Sequence, residues 1–400
     1  MKANYTILDH LDLSWPNVID RILNLLGSPN NPYLFPPYFL KSTFPKIGGR
    51  VIVIEDGKEL KCVGFLFPRR SSEKNFQYTM RIHKIGDERV DWDALQIWLE
   101  NSFGGVYLYH PEDAFEFQES HHWVGEFDIG SPNPEESETI QEMQKAIWQS
   151  SRGYLYPVDI HSVSFCPGTS LVARYNGKVV GFAFGFFRYG APTKVRTPII
   201  KNELCIESQL LGVMPDFRNK GLGYLLKSVQ RDIALTQGIS FIHWTVDPLQ
   251  VSNSILNFEK LGAISFEFFP NYYAFRNSLN QVPASRLGIS WFLDSEYVNN
   301  RMHGTETASD HFLLKDIHIV VSRAELRHAN IRSSNQIMAI QIPKEWNDIQ
   351  HKNLEDALRI RKQTDDILIS LIEKKDYVIT GISFINESWY LLARKFNGFF

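Results

Sequence analysis

Leu211-Gly-Val-Met-Pro-Asp-Phe-Arg-Asn-Lys-Gly-Leu-Gly-Tyr-Leu-Leu-Lys227 runs an apolar strand through a proline-marked turn into two glycines that open an amphipathic helix. Glycine lacks a Cβ, so at Gly221 and Gly223 the backbone can approach a ligand closely and present N–H groups at the positive end of the helix dipole. A pyrophosphate is the natural occupant, held by N–H groups from Asn219 to Tyr224. Leu222, Leu225, Leu226, Val229 and Ile233 then recur at helical spacing, and Gly238 supplies a C-terminal cap.

Two phosphate-binding patterns fail on residues. A P-loop needs Lys and a hydroxyl after its second glycine, whereas Lys220 precedes Gly221; a dinucleotide fold needs three glycines and an acidic residue about twenty positions on. The neighbouring segments narrow the choice. Ile239 to Val246 reads as a strand, Ser252 to Leu261 as a short helix stopped at Gly262, and Ile264 to Phe275 as another extended segment. Upstream, Ser170 to Phe187 is a hairpin about Asn176-Gly177, and Glu135 to Gln149 is a helix acidic at its start.

Arg-x-x-Gly-x-Gly after Val-x-Pro, set in this order of elements between about Trp123 and Arg276, resembles the coenzyme A loop and core of the GCN5-related N-acetyltransferase (GNAT) superfamily. The run from Gly212 to Ala263, with Trp244, Thr245, Asp247, Pro248, Leu249 and Asn253, is similar to a little-characterised bacterial branch of acetyltransferases. The resemblance implies an α+β fold with a central, mostly antiparallel sheet flanked by helices. It implies acetyl-CoA, or another acyl-CoA, as co-substrate and the amine of a small molecule or peptide as acceptor. Leu211, Val213, Arg218, Asn219, Lys220, Gly221, Leu222, Gly223 and Tyr224 would then bind the coenzyme, and Asn253 its pantetheine arm. An asparagine near a helix start is also an ordinary cap.

Acyl transfer needs a base for the amine and an acid for the departing thiolate. Strand alternation puts Glu207, Gln209, Leu211 and Val213 on one face and Ser208, Leu210 and Gly212 on the other. Glu207, eleven residues before Arg218, matches the general-base glutamate of the histone-acetylating members. The tyrosine that GNAT enzymes place four residues before the helix-ending glycine is here Phe258, which has no proton to give. Tyr272 or Tyr273 replaces it, or the thiolate leaves unaided. Asp247 is a further candidate base and also an Asp-Pro turn opener. The missing tyrosine keeps a second class open, a non-catalytic acyl-CoA-binding sensor or assembly module.

Four hundred residues with 44% hydrophobic content predict two or three domains: 1–120, an N-terminal domain; 121–280, the acyl-CoA domain; and 281–400, an α+β lobe without chemistry of its own. Within the first, an α/β domain, Asp56-Gly57 and Val63-Gly-Phe65 parallel Asn176-Gly177 and Val180-Gly-Phe182, which leaves two readings: a degenerate GNAT-like fold, or an unrelated hairpin of the common kind with turn glycines. Beyond Asn280, Pro283 to Val298 and Asp316 to Leu326 look like strands, Asn353 to Lys374 like a helix, and Tyr377 to Phe384 with Ser388 to Arg394 like a closing pair. A net charge of −3 gives no global attraction for nucleic acid. No apolar run reaches membrane-spanning length, and Cys62, Cys166 and Cys205 lack metal spacing. A cytoplasmic protein without metal, nucleic acid or membrane partner is the expectation.

Overall fold

A computed structural model describes the chain except for residues 1–2, 9, 29–30, 32–33, 58, 69–75, 87–89, 110–121, 149–154, 162–167, 190–203, 274–279, 305–316, 321–336, 375 and 397–400. Cys166 and Phe275 lie outside the described residues. The chain divides into two compact units, one of residues 1–141, 156–192 and 196–240, the other of 142–155, 193–195 and 241–400.

The first unit opens with β1 (Ala3–Leu8), α1 (Trp15–Leu25), β2 (Arg50–Asp56), β3 (Glu59–Pro68), β4 (Phe76–Lys84), α2 (Trp92–Phe103) and β5 (Gly105–Tyr109). These strands lie side by side in chain order, antiparallel except for the β4–β5 pair. Alternation along the strands explains the two layers. Val51, Val53, Val63 and Phe65 pack with Trp15, Ile19 and Leu23 of α1. The residues between them, Ile52, Ile54, Cys62 and Leu66, pack with Leu95 and Leu99 of α2.

The unit continues with β6 (His122–Val124), β7 (Phe127–Gly130), α3 (Pro134–Trp148, whose last turns fall in the second unit), β8 (Gly168–Tyr175), β9 (Lys178–Tyr189), β10 (Leu204–Val213) and α4 (Leu222–Thr236). From β6 to β10 the strands are antiparallel neighbours. The expected Asn176-Gly177 turn joins β8 to β9, with φ of 48° and 74° and Tyr175 opposite Lys178, the left-handed pair of a tight hairpin. A reciprocal cap starts α3: Asn133 Oδ1 accepts from the Glu136 N–H, and Glu136 Oε2 accepts from the Asn133 N–H. Arg174 of β8 grips the same Glu136 at 2.7 Å and donates to the Ser131 carbonyl at 2.7 Å, which pins the helix start to the sheet.

Helix α4 buries Leu222, Leu226, Val229 and Ile233 against Ile129, Leu171, Ala173 and Ala183. Gly181 lets it sit close, since a Cβ there would lie 3.1 Å from Leu222 and 3.2 Å from Leu226. Gly238, with φ 69°, ends the helix as expected, and Thr79 of β4 donates to its carbonyl at 2.9 Å. Strand, helix, three strands and helix thus follow one another twice, as β1-α1-β2-β3-β4-α2 and as β7-α3-β8-β9-β10-α4. The two helix starts differ in charge. Asp91 caps α2 by accepting from the Ala94 N–H at 3.0 Å, which puts a carboxylate where α4 has Gly221.

The second unit holds β11 (Phe241–Val246), α5 (Val251–Ser254), β12 (Ile264–Tyr273), β13 (Ala284–Phe292), α6 (Glu296–Met302), β14 (Ile317–Val320), β15 (Ile337–Ile342), α7 (Trp346–Lys352), α8 (Leu354–Leu368), β16 (Tyr377–Ile385) and β17 (Ser388–Lys395). Its strand order is β11-β13-β12-β16-β17-β15-β14. One expectation is corrected here, the extent of the strand read from Pro283 to Val298. The strand beginning at Ala284 lies between β11 and β12 and completes their sheet. It ends at Phe292, because Ser295 accepts from the Val298 N–H and starts α6 where extended chain was expected. The long C-terminal helix starts as read, with Asn353 accepting from the Asp356 N–H, and its end loosens into a π-helical turn, Ile369–Glu373. Among the described residues no helix is long and apolar enough to cross a membrane.

Candidate functional site

The loop between β10 and α4 is built by two left-handed residues. After a single 3-10 turn, Pro215–Phe217, Asn219 adopts φ 61° and Gly221 φ 80° as the residue before the helix. Left-handed residues within such a turn direct successive N–H groups into one concavity, which suits an anion. The first helical bond runs from the Leu225 N–H to the Gly221 carbonyl, so the N–H groups of Leu222 and Gly223 point out of the helix end. A Cβ on Gly221 would meet nothing within 4 Å, so the space above it is open. Arg218, Asn219 and Lys220 are exposed, Arg218 Nε donating to the Val213 carbonyl and Lys220 Nζ lying 4.9 Å above the Phe217 ring.

Strand β10 does not alternate as its sequence suggests. Ser208 stands opposite Gly185 and Leu210 opposite Phe184, which leaves Gln209 as an extra residue in a bulge. The faces therefore exchange. Ser208, Leu211 and Val213 share the α4 side, where Leu211 and Val213 pack, partly buried, on its apolar face. Glu207 shares the other side with Leu210 and Gly212, over Phe184 and Phe186, on which His161 and Tyr156 pack. Gln209 is exposed. Glu207 accepts from Arg188 at 2.7 Å and keeps 22% of its side chain in solvent. It is reachable from solvent.

On the α4 side lies a group the sequence reading passed over. Lys227 is 2% exposed and donates to Ser208 Oγ at 2.6 Å and to Gln230 Oε1 at 3.1 Å. Burial pushes its pKa down to about 7, with the Glu207 carboxylate acting in the opposite direction. Its position next to Leu226 and Val229 on the buried stripe of α4 was the available signal, although a lysine is ordinarily assigned to the solvent side.

The remaining candidates belong to the second unit. Asn253 is the exposed third residue of α5, whose cap position falls to Gln250, so Asn253 is not the cap. Phe258 is fully buried in a π-helical turn, Ile255–Lys260. Tyr272 is 48% exposed, and Tyr273 lies beneath the Arg286 guanidinium at 4.8 Å. Asp247 is a hub. Its Oδ1 accepts from the Leu249 N–H at 2.9 Å, and its Oδ2 accepts from Arg361 at 2.7 Å and Trp346 Nε1 at 3.3 Å. Asp365, which takes the Ser285 hydroxyl at 2.6 Å, is pushed up to about 6 by burial. His243 pairs with the buried Glu267 at 3.2 Å. Among the described residues no three His, Cys, Asp or Glu side chains gather as a metal would require.

Residues 135–263 match the family model described as "Acetyltransferase (GNAT) family". No curated protein matches the chain. Similar solved structures include Ard1 from Thermoplasma volcanium, 20% identical, covering 41% of this chain and 96% of its own with a TM-score of 0.30. Others are Arabidopsis thaliana Naa50 in complex with the bisubstrate analogue CoA-Ac-MVNAL (16% identity, 41% and 97% coverage, TM-score 0.32) and the ribosomal-protein-S18-alanine N-acetyltransferase from Escherichia coli (16%, 42% and 95%, 0.31).

Proposed function

For a chain whose residues 135–263 form a domain of the GNAT acetyltransferase family, we propose acyl transfer from a coenzyme A thioester, acetyl-CoA first, to the amine of a small molecule or peptide. The observation that carries this reading is the pair of left-handed residues, Asn219 and Gly221, feeding an open helix N-terminus with Arg218 and Lys220 exposed beside it. N–H groups from Asn219 to Tyr224 hold the pyrophosphate. Glu207 receives the proton that the amine loses as it attacks the carbonyl. Tyr272 and Tyr273 are packing residues in this reading, one half exposed and one engaged by Arg286.

Calorimetry with coenzyme A and acetyl-CoA tests the binding half. Thiol release over a panel of amines tests the transfer, and Glu207→Gln is expected to lower turnover roughly a hundredfold with binding intact. Equal rates in both proteins would move the base elsewhere. The buried phenylalanine at position 258 favours one second reading, an acyl-CoA-binding sensor or assembly module without turnover. Tight binding with no thiol release from any amine would select it.

A further inference from the structure

Lys227 is a buried cation that the binding loop does not use, and its surroundings are ordered around a single hydroxyl. Gln230 Nε2 donates to Thr169 Oγ1 at 2.8 Å, which turns its Oε1 towards Lys227 and Ser208. An ammonium only donates, so in the 2.6 Å contact Ser208 Oγ is the acceptor and keeps its own proton to give. That proton now points to Gln230 Oε1, a longer contact of 3.2 Å and an easy one to exchange.

Chain length bounds how far the thioester sulfur lies from the pyrophosphate. A pantetheine arm joins the two through about twelve skeletal bonds, the length of roughly four residues of extended chain. Four residues back along β10 from Val213, which leads into the loop, stands Gln209 in the strand bulge, next to Ser208, so an arm laid along this strand brings its sulfur to that point.

We propose that Ser208, reprotonated by Lys227, gives the departing coenzyme A thiolate its proton. The inference rests on the acyl-CoA reading above. The amine nitrogen bonds to the carbonyl carbon, the carbon–sulfur bond breaks, and its electron pair goes to sulfur. Sulfur takes the Ser208 proton while Ser208 takes one from the Lys227 ammonium, leaving a neutral amine. The proton shed by the acceptor passes to Glu207 and solvent, and Lys227 is reprotonated through Ser208 after release of the product thiol. The direction is downhill, because an acid of pKa about 7 faces a thiolate whose conjugate acid lies near 8.5. Lys227 donates to the neutral Ser208 and Gln230, Gln230 donates to the neutral Thr169, and the Glu207 carboxylate, which leaves β10 on the opposite face and pairs with Arg188, still favours the ammonium. Ser208 is the catalytic residue of the pair, and Lys227 positions and supplies it.

The test compares wild type, Lys227→Met and Ser208→Ala. Both variants should bind acetyl-CoA within about threefold of wild type and lose about a hundredfold in kcat. The wild-type kcat should fall as pH rises through neutrality, and that limb should be absent from Lys227→Met. A thioester of a more acidic thiol leaves without a proton, so with such an acyl donor both variants should approach the wild-type rate. If Lys227→Met does not fold, Ser208→Ala decides. Variants that keep the wild-type rate and pH profile with acetyl-CoA would overturn the relay alone. A wild type that binds no coenzyme A, or binds it without turnover, would overturn the acyl-transfer reading and the relay with it.

Discussion

Replacing Lys227 by methionine should make the protein more stable at neutral pH. The side chain is 2% exposed, and its pKa is about 7 folded against 10.5 unfolded. The unfolded chain therefore holds the proton more tightly. The resulting penalty is complete below the folded value and is relieved as pH rises from about 7 towards 10.5. At pH 7 it amounts to about 4 kcal/mol, and at pH 9.5 to about 1 kcal/mol. Methionine fills a similar volume without charge but leaves Ser208 and Gln230 without a donor, which takes back about 1–2 kcal/mol. The expected net gain is about 2–3 kcal/mol at pH 7, vanishing or reversing at pH 9.5. Urea titrations at the two pH values measure it directly. A variant less stable than wild type at pH 7, or an advantage that does not shrink with rising pH, would refute the reasoning that this lysine is a costly, desolvated cation.

Three further outcomes follow from the geometry. Gly221→Val meets open space, so its effect comes through the left-handed backbone, about 1–2 kcal/mol of stability, and through blocked access, a loss of at least tenfold in coenzyme A affinity by calorimetry. Unchanged affinity would remove the loop from the site. Asp247→Asn removes the carboxylate 2.7 Å from Arg361 and 3.6 Å from Arg286, leaving the 3% exposed Arg361 only Asp365 at 4.0 Å, and should cost about 3–5 kcal/mol in denaturant melts; a cost under about 1 kcal/mol would deny it the role of hub. Tyr272→Phe and Tyr273→Phe should turn over near the wild-type rate, and a hundredfold drop in either would make that tyrosine the leaving-group acid.

What the sequence made legible was local. Asn176-Gly177 names its own turn, and the glycines of the β10–α4 loop announce a left-handed residue and a helix start whatever surrounds them. The apolar stripe of α4 is periodic over fifteen residues, long enough to fix its type. The bulge at Gln209 was not legible, because nothing in Glu207-Ser208-Gln209-Leu210 marks an extra residue; the pairing with β9 sets it, and the faces expected for Glu207 and Leu211 separate as a result. Lys227 was hidden for the opposite reason. Its helical position lies on the buried stripe, but its charge argues for solvent, and the Ser208, Gln230 and Thr169 network helps to make burial tolerable. Asp247 could be read as opening an Asp-Pro turn, which it does, while the arginine that neutralises it lies 114 residues further on.

That separation sets a timetable for synthesis. At about 5–20 residues per second, the ribosome needs roughly 6–23 s after making Asp247 to deliver Arg361, and the β16 edge for β12 comes later still. During that interval the nascent second unit carries a carboxylate destined for burial with Arg286 at hand but Arg361 still to come, and a strand edge without its neighbour. The first unit, whose last residue is 240, has by then left the tunnel whole. The chain is thus expected to fold in two instalments, with the interval between them its period of greatest exposure to chaperones and to aggregation.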